Sequence, residues 1–208
     1  MAARISSDAV ASIDWSSYYE KTGDRPPRPS LVKALDAFAD EGLPSGGCAV
    51  DLGCGSGRDT IEILRRGWSV LAIDAAPEAI EKLMARPNLP VGSEIETRVS
   101  RYEDMSLPLC DLVNAGFSLP LCPPDDFPVV WSKIVNALGA GGRFSGQLYG
   151  DRDDWMEREG MTCLSRDQAE GFLKPFDVEI FDEEEDDSVT PRGAQKHWHV
   201  FHIVARKR

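Results

Sequence analysis

Hydrophobic and polar positions alternate with two different periods along this chain. Short apolar runs predict strands, and apolar residues three or four positions apart predict helices between them. The runs that predict strands are Cys48 to Leu52, Trp68 to Asp74, Ile95 to Ser100, Asp111 to Leu119, Arg143 to Tyr149, Phe176 to Phe181 and Lys196 to Ala205. Because helical segments separate the first five runs, we expect right-handed crossovers and a parallel sheet.

The helical segments carry recognisable start and stop signals. Ser165 and Gln168 have the spacing of a capping box, and glycines 139, 141 and 142 are expected to end the helix before them. The helices are expected to begin near Ser30 as a cap, Arg58, Pro77, Asp125 or Asp126, and Ser165. No helical segment separates the last two runs, so these strands are expected to form an antiparallel hairpin. The acidic residues 182–187 between them predict a solvated loop or the edge of the sheet.

The 208 residues predict one domain over residues 30–208, preceded by a polar, proline-rich extension over residues 1–29. Within this extension, Trp15, Tyr18 and Tyr19 have helical spacing. One interpretation is an amphipathic turn that packs on the core. The other is a flap over a pocket in which Arg25 or Arg28 meets an anion. In the second interpretation, Tyr19 and Arg28 are candidates for the substrate pocket.

Charge and cysteine usage narrow the class of partner. The net charge of −12 argues against a nucleic-acid surface and against binding to an anionic membrane. A small-molecule partner is therefore expected. The five cysteines are dispersed without a C-x-x-C pair, which predicts neither a metal site nor disulfides. The chain shows neither a signal-peptide pattern nor an apolar run of about 18 residues, so we expect a cytoplasmic protein.

The stretch from Ala49 to Thr60 has the pattern of a cofactor-binding loop. An apolar run ends in Asp51, three alternating glycines follow at 53, 55 and 57, and a helical segment begins. Glycines allow tight turns and close approach of a ligand, and the helix start presents a positive dipole end. A dinucleotide loop requires G-x-G-x-x-G, but Arg58 occupies the place of its third glycine. The Gly-Lys-Ser/Thr of a P-loop is absent from this stretch.

This loop closely resembles the first motif of class I S-adenosylmethionine-dependent methyltransferases, an acid followed by G-x-G-x-G. The resemblance continues through the second strand that ends in Asp74, the turn at residues 98–108 and the Asp-Leu-Val strand at 111–113. It implies an α/β fold that is Rossmann-like and doubly wound, with a mostly parallel seven-stranded sheet and an antiparallel terminal hairpin. The overall layout is also similar to small methyltransferases of the tellurite-resistance and thiopurine type.

The resemblance also implies S-adenosyl-L-methionine as the cofactor and gives roles to individual residues. Asp51, with the amides of Gly53 and Gly55, would face the cationic amino-acid end of the cofactor. Gly57 would allow close approach near its carboxylate, and Asp74 would accept both ribose hydroxyls.

Two further positions complete the implied cofactor site. Glu103 matches the acid that takes the adenine amino group, and Asp104 would offer its backbone N–H to the ring. The register of this turn is open by one residue, so either acid remains a candidate for the adenine contact. Asn114 would expose its backbone or side chain to the methionine portion.

Methyl transfer is an in-line displacement that depends mainly on alignment and exclusion of water, so no catalytic triad is expected. His197 is the candidate for a general base; its alternative is a structural hydrogen-bonding role on the last strand. The leading hypothesis is a methyltransferase for a small-molecule acceptor, as a monomer or homodimer. The alternatives are a non-catalytic cofactor sensor or scaffold and, less consistent with Arg58, an NAD-linked oxidoreductase.

Overall fold

The structure is a computed structural model that describes residues 15–208, apart from the side chains of Ser16, Ser17 and Glu20. Within these described residues, eight strands form one sheet, and six α-helices accompany it. The strands are β1 (Cys48–Leu52), β2 (Ser69–Asp74), β3 (Ile95–Val99), β4 (Cys110–Ala115), β5 (Leu138–Gly150), β6 (Cys163–Leu164), β7 (Phe176–Val189) and β8 (Gln195–Lys207). The helices are α1 (Trp15–Thr22), α2 (Pro29–Asp40), α3 (Arg58–Arg65), α4 (Pro77–Met84), α5 (Phe127–Ala137) and α6 (Arg166–Phe172).

The strand order confirms the predicted doubly wound α/β fold. The sheet runs β3-β2-β1-β4-β5-β8-β7, and the two-residue β6 pairs with β5 as an eighth strand. The first five strands are parallel, whereas β8 is antiparallel to both β5 and β7. The predicted terminal hairpin is therefore present, with β8 placed between β5 and β7.

Hydrophobic side chains cover both faces of this sheet. Leu31, Leu35 and Phe38 of α2 share one core with apolar residues of α3 and α4. Trp131 of α5 lies in the other core, which also receives apolar residues of α6. This two-sided burial explains why the strands read as short continuous apolar runs in the sequence.

Several predicted boundaries are wrong, each for a local reason. Helix α2 begins at Pro29 with Arg28 as its N-cap, and the Ser30 hydroxyl instead accepts a hydrogen bond from the Gln147 amide at 2.8 Å. Strand β4 ends at Ala115, before the predicted Leu119, because Phe117 has a positive φ of 56° and a 3-10 turn follows.

The glycines at 139–142 also behave differently from the prediction. They do not terminate α5 as a separate loop, because β5 already begins at Leu138 and contains them. A register shift between Cys110 and Leu112 accommodates this irregular start of the pairing. The acidic residues 182–187 belong to β7 at the edge of the sheet, so the edge interpretation is confirmed and the loop interpretation is wrong.

Candidate functional site

The carboxyl ends of three neighbouring strands meet at one edge of the sheet. β1 ends at Leu52, β2 ends at Asp74 and β4 ends at Ala115, and β1 runs parallel to both neighbours. After β1 the chain crosses to β2 on one side, whereas β4 lies on the other side. Ligands of doubly wound folds bind at such a reversal of strand order.

Residues 53–57 connect β1 to α3 and are called the glycine loop here. Gly53, Gly55 and Gly57 all have positive φ angles, of 64°, 54° and 86°. A Cβ on Gly55 would lie 3.0 Å from the ring of Tyr19, so the glycine lets this ring lie directly against the loop. The alternating glycines therefore serve both the turn and the close approach of an aromatic side chain.

Asp74 fastens the glycine loop to the end of β2. Its Oδ2 accepts the Gly55 amide at 2.9 Å, and its Oδ1 accepts the Ala76 amide at 2.9 Å. Burial raises the pKa of this carboxyl above its ordinary value, against the opposing effect of the amide hydrogen bonds. Because a carboxylate offers about four lone-pair positions, Asp74 retains capacity to accept the hydroxyl groups of a ligand.

The amides of Gly53 and Gly55 were expected to face a ligand, but both are engaged within the fold. The Gly53 amide donates to the carbonyl of Ile73 at 2.8 Å, and the Gly55 amide donates to Asp74. These donors shape the loop and hold it against β2. Recognition of a ligand at this edge consequently depends more on side chains than the sequence indicated.

Asp51 and Asn114 form the centre of a buried hydrogen-bond network behind the glycine loop. Asp51 accepts the hydroxyl of Thr60 at 2.6 Å and the amide of Asn114 at 2.9 Å. The oxygen of the Asn114 side chain accepts the hydroxyl of Ser145 at 2.8 Å. Asn114 is only 1 % exposed, so its side chain supports Asp51 from behind, and contact of its backbone with a cofactor stays a prediction.

The same network contains a second acid and one guanidinium group. Asp59 accepts the backbone amide of Arg28 at 3.0 Å and its Nη1 at 2.9 Å. With both acids ionised, Asp51, Asp59 and Arg28 leave one negative charge unpaired. Burial and the nearby charge of Asp59 raise the pKa of Asp51 to about 6. A buried site that lacks a cation in this way suits a positively charged ligand.

Replacing Asp51 with asparagine is expected to stabilise the ligand-free protein. The raised pKa means that the folded state binds more protons than the unfolded state between pH 3.8 and about 6, so the free energy of unfolding falls as the pH rises through this window. An amide at position 51 removes the charge: its oxygen accepts the Asn114 amide, and its NH2 group donates to the Thr60 hydroxyl, so the direction of that hydrogen bond reverses. We expect a gain of about 1–3 kcal/mol at pH 7 and a weaker slope between pH 4 and 6, measured by urea denaturation.

The exposed Asp125 provides a matched control for this substitution. Asp125→Asn removes one negative charge from the protein without removing it from a buried network. It should therefore leave the pH slope of the unfolding free energy unchanged. An Asp51→Asn variant that is less stable than the wild type at pH 7 would contradict the proposed unpaired charge.

The predicted adenine turn lies between β3 and β4, with both candidate acids on its surface. The Glu103 carboxylate accepts Nε of Arg101 at 2.9 Å, and its backbone carbonyl accepts Nζ of Lys133 at 2.8 Å. Asp104 is exposed. The hydroxyl of Tyr102 lies 3.5 Å from the position that a Cβ on Gly53 would take. Tyr102 thus places this turn beside the glycine loop, a contact that no spacing in the sequence signals.

The aromatic residues of the N-terminal extension form one cluster on α1. The Tyr19 ring lies 6.2 Å from the ring of Trp15 and 6.0 Å from that of Tyr18, between centroids. Tyr19 is only 7 % exposed, and burial followed by the charge of Asp74 raises the pKa of its hydroxyl. The structure therefore brings Tyr19 to the glycine loop; whether α1 acts as a flap stays a prediction.

A second aromatic cluster lies where β4 and β5 end. The Phe117 ring is 6.1 Å from Tyr149 and 6.2 Å from His202, between centroids, and the Arg28 guanidinium lies 5.3 Å from its centre. Positive φ angles of non-glycine residues, such as the 56° of Phe117, often occur at functional sites. The sequence gives no signal for this residue, since the strained backbone becomes visible only in the structure.

Two buried polar atoms on this side have no hydrogen-bond partner among the residues that the structure describes. They are Nε of Arg28 and the side-chain oxygen of Gln147. The two residues are connected locally, because the Gln147 amide donates to Ser30, two positions after Arg28. One unused donor and one unused acceptor are therefore available to a ligand near Phe117. Because both atoms are buried, the side chains that cover them have to move first.

His197 lies far from the Asp51 network along β8, and its imidazole is engaged by β7. Its ring nitrogens lie 2.7 Å from Asp187 and 3.1 Å from Glu185 of the neighbouring strand β7, and these acids raise the pKa of the imidazole. Ser145, beside Asn114, pairs with Val204 of β8. His197 lies seven residues from Val204, or roughly 23 Å along an extended strand. These hydrogen bonds fit the structural interpretation of His197, and its role as a general base stays a prediction.

The neighbouring residue, Lys196, is the buried cation at this end of β8. Its ammonium group donates to both carboxylate oxygens of Asp153 and lies 3.7 Å from the ring centre of Trp198 and 4.6 Å from that of Trp155. The two side chains of the ion pair are 1 % and 0 % exposed. Burial lowers the pKa of Lys196, against the effect of Asp153. No pattern in the sequence indicates that this lysine is a buried cation.

Within residues 15–208, no three histidine, cysteine, aspartate or glutamate side chains are grouped in a way that would hold a metal ion. Over the same part of the chain, every helix is too short or too polar to cross a membrane.

Comparison with known proteins finds a family model that matches part of the chain. Residues 49–142 match the model of a methyltransferase domain. Carboxy-S-adenosyl-L-methionine synthase from Shewanella sp. (strain ANA-3) is 26% identical over 117 residues, which cover 54% of this chain and 48% of that protein. The chain thus spans about half the length of the curated relatives that it matches.

Solved structures share the fold at low sequence identity. TehB from Haemophilus influenzae has a TM-score of 0.74 and 16% identity, covering 92% of this chain and 66% of that chain. Magnesium protoporphyrin IX methyltransferase (ChlM) from Synechocystis PCC 6803, solved with bound SAM, has a TM-score of 0.71 and 13% identity, with both chains covered completely. The match of residues 49–142 confirms the predicted resemblance to methyltransferases, and the solved structures share the fold.

Proposed function

We propose that this chain is an S-adenosylmethionine-dependent methyltransferase that acts on a small-molecule acceptor. Its residues 49–142 match the model of a methyltransferase domain. The observation that carries the proposal is the pair of acids that flank the glycine loop. Asp51 belongs to a buried network with an unpaired negative charge, and Asp74 retains acceptor capacity at the end of β2.

The residues at this edge fit the proposed cofactor chemically. When bound, S-adenosylmethionine supplies a methyl group on a positively charged sulfur. An electron-rich atom of the acceptor can attack the methyl carbon directly, and the sulfur is the leaving group. The network of Asp51 and Asp59 offers negative charge to a cationic ligand, and Asp74 offers oxygens to ribose hydroxyls. Glu103 and Asp104 are proposed for the adenine end, because Tyr102 places their turn beside the glycine loop.

The chain's own contribution to methyl transfer is alignment and exclusion of water. Tyr19 on α1 lies against Gly55 and covers the loop from the side of the N-terminal extension. Asn114 and Ser145 hold Asp51 in one orientation through the buried network. These contacts keep the acids fixed before a ligand arrives, which reduces the cost of ordering them on binding.

A small acceptor is supported by the region around Phe117. The aromatic rings of Phe117 and Tyr149 provide an apolar wall, and Arg28 and Gln147 carry the unused donor and acceptor atoms. This combination suits a compact molecule with an apolar body and one hydrogen-bonding group. The net charge of −12 adds to the case against a nucleic-acid acceptor.

Calorimetric titration with S-adenosylmethionine and S-adenosylhomocysteine tests the cofactor site. We expect both to bind the wild type, and we expect Asp74→Asn to weaken binding by about 10- to 100-fold, because one or two charge-assisted hydrogen bonds are lost. Asp111→Asn is a matched control, since Asp111 also accepts a backbone amide, that of Cys48 at 2.9 Å, but lies near the start of β4. It should leave affinity unchanged.

The outcomes separate the possible functions. Absence of binding to the wild type would overturn the proposal. Binding without methyl turnover over a panel of thiols, oxyanions and hydroxylated aromatics would favour the non-catalytic sensor or scaffold. Because relatives are named Carboxy-S-adenosyl-L-methionine synthase, the nucleoside products should also be identified by mass. A modified cofactor instead of S-adenosylhomocysteine would replace methyl transfer as the proposed reaction.

A further inference from the structure

We propose that the pocket between residues 23–27 and α3 binds a phosphate group, either free or as part of a small phosphate ester. The pocket has a volume of about 260 Å³ and lies outside the acids described above. Four arginines line it: Arg25, Arg58, Arg65 and Arg86. We call it the arginine pocket. Such a concentration of cations is unexpected in a chain with a net charge of −12.

The carboxylates that line the arginine pocket are already paired. Asp24 lies 3.2 Å from Nη2 of Arg86, and Glu62 lies 3.0 Å from Nε of Arg66. Arg66 itself does not line the pocket. The two acids therefore do little to neutralise the other cations, and an anion would find excess positive charge.

The remaining three arginines have no carboxylate partner among the described side chains. Nε of Arg58 donates to the carbonyl of Pro26 at 2.6 Å. The side chains of Arg25 and Arg65 make no hydrogen bond or ion pair within the described part of the chain. Burial and the positive charges of Arg28 and Arg25 lower the pKa of Arg58. An anion in the pocket would relieve this repulsion.

The wall of the arginine pocket is fixed before any ligand binds. Nη1 of Arg86 donates to the carbonyls of Gly23 at 3.0 Å and Ser56 at 3.2 Å, which joins the segment after α1 to the glycine loop. Arg58 holds the same segment at Pro26. Because these contacts already order the backbone, binding of a ligand would require little further loss of conformational entropy.

The geometry of arginine favours a phosphate over a simple halide. A guanidinium group presents its N–H donors in a planar fork that matches the oxygens of phosphate. Of the two arginines that sequence analysis proposed to meet an anion, the structure pairs Arg28 with Asp59 and leaves Arg25 at the pocket. The arginine pocket thus gives the anion hypothesis a specific location.

Thermal unfolding in inorganic phosphate tests this inference, with sodium chloride of equal ionic strength as the reference. We expect phosphate to raise the melting temperature saturably, and we expect the double substitution Arg25→Gln and Arg65→Gln to weaken the apparent affinity by about tenfold or more. Both residues lie on the surface and hold no structural contact described above, so the variant should fold. The double substitution Arg166→Gln and Arg208→Gln, which removes two exposed cations away from the pocket, controls for net charge.

Two results would overturn the proposal. One is a response to phosphate that does not exceed the response to chloride, and the other is an equal response in the double variant. A parallel titration with glycerol 3-phosphate, which carries no adenosine for the proposed cofactor site, distinguishes the sources of the group. Tighter binding of the ester supports a phosphorylated small molecule, and tighter binding of inorganic phosphate supports the free ion. No methyl donor is needed, so this test and that of the proposed function fail independently.

Discussion

Replacing Gly57 with alanine is expected to lower the free energy of unfolding by about 2–5 kcal/mol, the sum of backbone strain and overpacking. The φ of Gly57 is 86°, a region that L-residues with a Cβ occupy at a cost. The added carbon would also lie 2.2 Å from Cδ1 of Leu83, whose side chain is completely buried in α4. Urea denaturation monitored by tryptophan fluorescence measures the loss.

Gly42→Ala separates the two causes. Gly42 has a φ of 90°, but no heavy atom lies within 4 Å of the position that its Cβ would take. We therefore expect only the backbone cost, about 1–2 kcal/mol. Equal losses in the two variants would show that the contact between the glycine loop and α4 contributes no steric restraint.

Replacing Lys196 with methionine is expected to lower the free energy of unfolding by about 3–5 kcal/mol, because it leaves the Asp153 carboxylate buried without its cation. Methionine fills much of the same volume between the rings of Trp155 and Trp198, so lost packing is a minor part of the effect. Asp153 also accepts the amides of Trp155 at 2.9 Å and His199 at 3.1 Å, which keeps it in place.

The double variant Lys196→Met with Asp153→Asn tests this cause. An amide at 153 carries no charge, although its single oxygen keeps only one of the two backbone hydrogen bonds, so we expect it to recover part of the lost stability. Lys207→Met is a suitable control, since the Lys207 ammonium donates to the uncharged carbonyls of Val135 and Leu138. It should cost about 1–2 kcal/mol. Additive losses in the double variant would contradict the isolated-charge explanation.

The elements around the glycine loop were predictable because their signals are local. Strand β1 and helix α3 begin where the apolar run and Arg58 indicated, and Asp74 ends β2 as expected. In each of these elements, the residue that marks the beginning or the end of the helix or strand lies within the short segment itself. The positive φ angles of the loop glycines likewise follow from the needs of one tight turn.

The features that sequence analysis missed depend on partners distant in the chain. The acidic residues of β7 form a strand because β8 pairs with them and because cations such as Arg152 and Arg166 bind Glu183. The partner of Asp59 is Arg28, 31 positions away. A composition or a spacing cannot identify such pairs, since the fold alone decides which side chains meet.

The roles of single site residues were harder to predict than their positions. Asn114 lies at the expected end of β4, yet its side chain donates to Asp51 and accepts from Ser145 within the buried network. His197 lies on the predicted strand, yet its neighbours belong to the edge of the hairpin. A motif locates a residue along the chain, whereas its chemistry depends on which hydrogen-bond partners the surrounding elements supply.

The position of β8 has a consequence for how the chain reaches this fold. β8 is the last described strand in sequence, but it lies between β5 and β7. Until residues 195–207 have been synthesised and have found their place, β5 presents an unpaired edge to other chains. Joining β5 to β8 closes a long loop, and such non-local pairing slows folding. We therefore expect the sheet to be completed only after residues 195–207 have left the ribosome, with the unpaired edge of β5 as the point most exposed to aggregation.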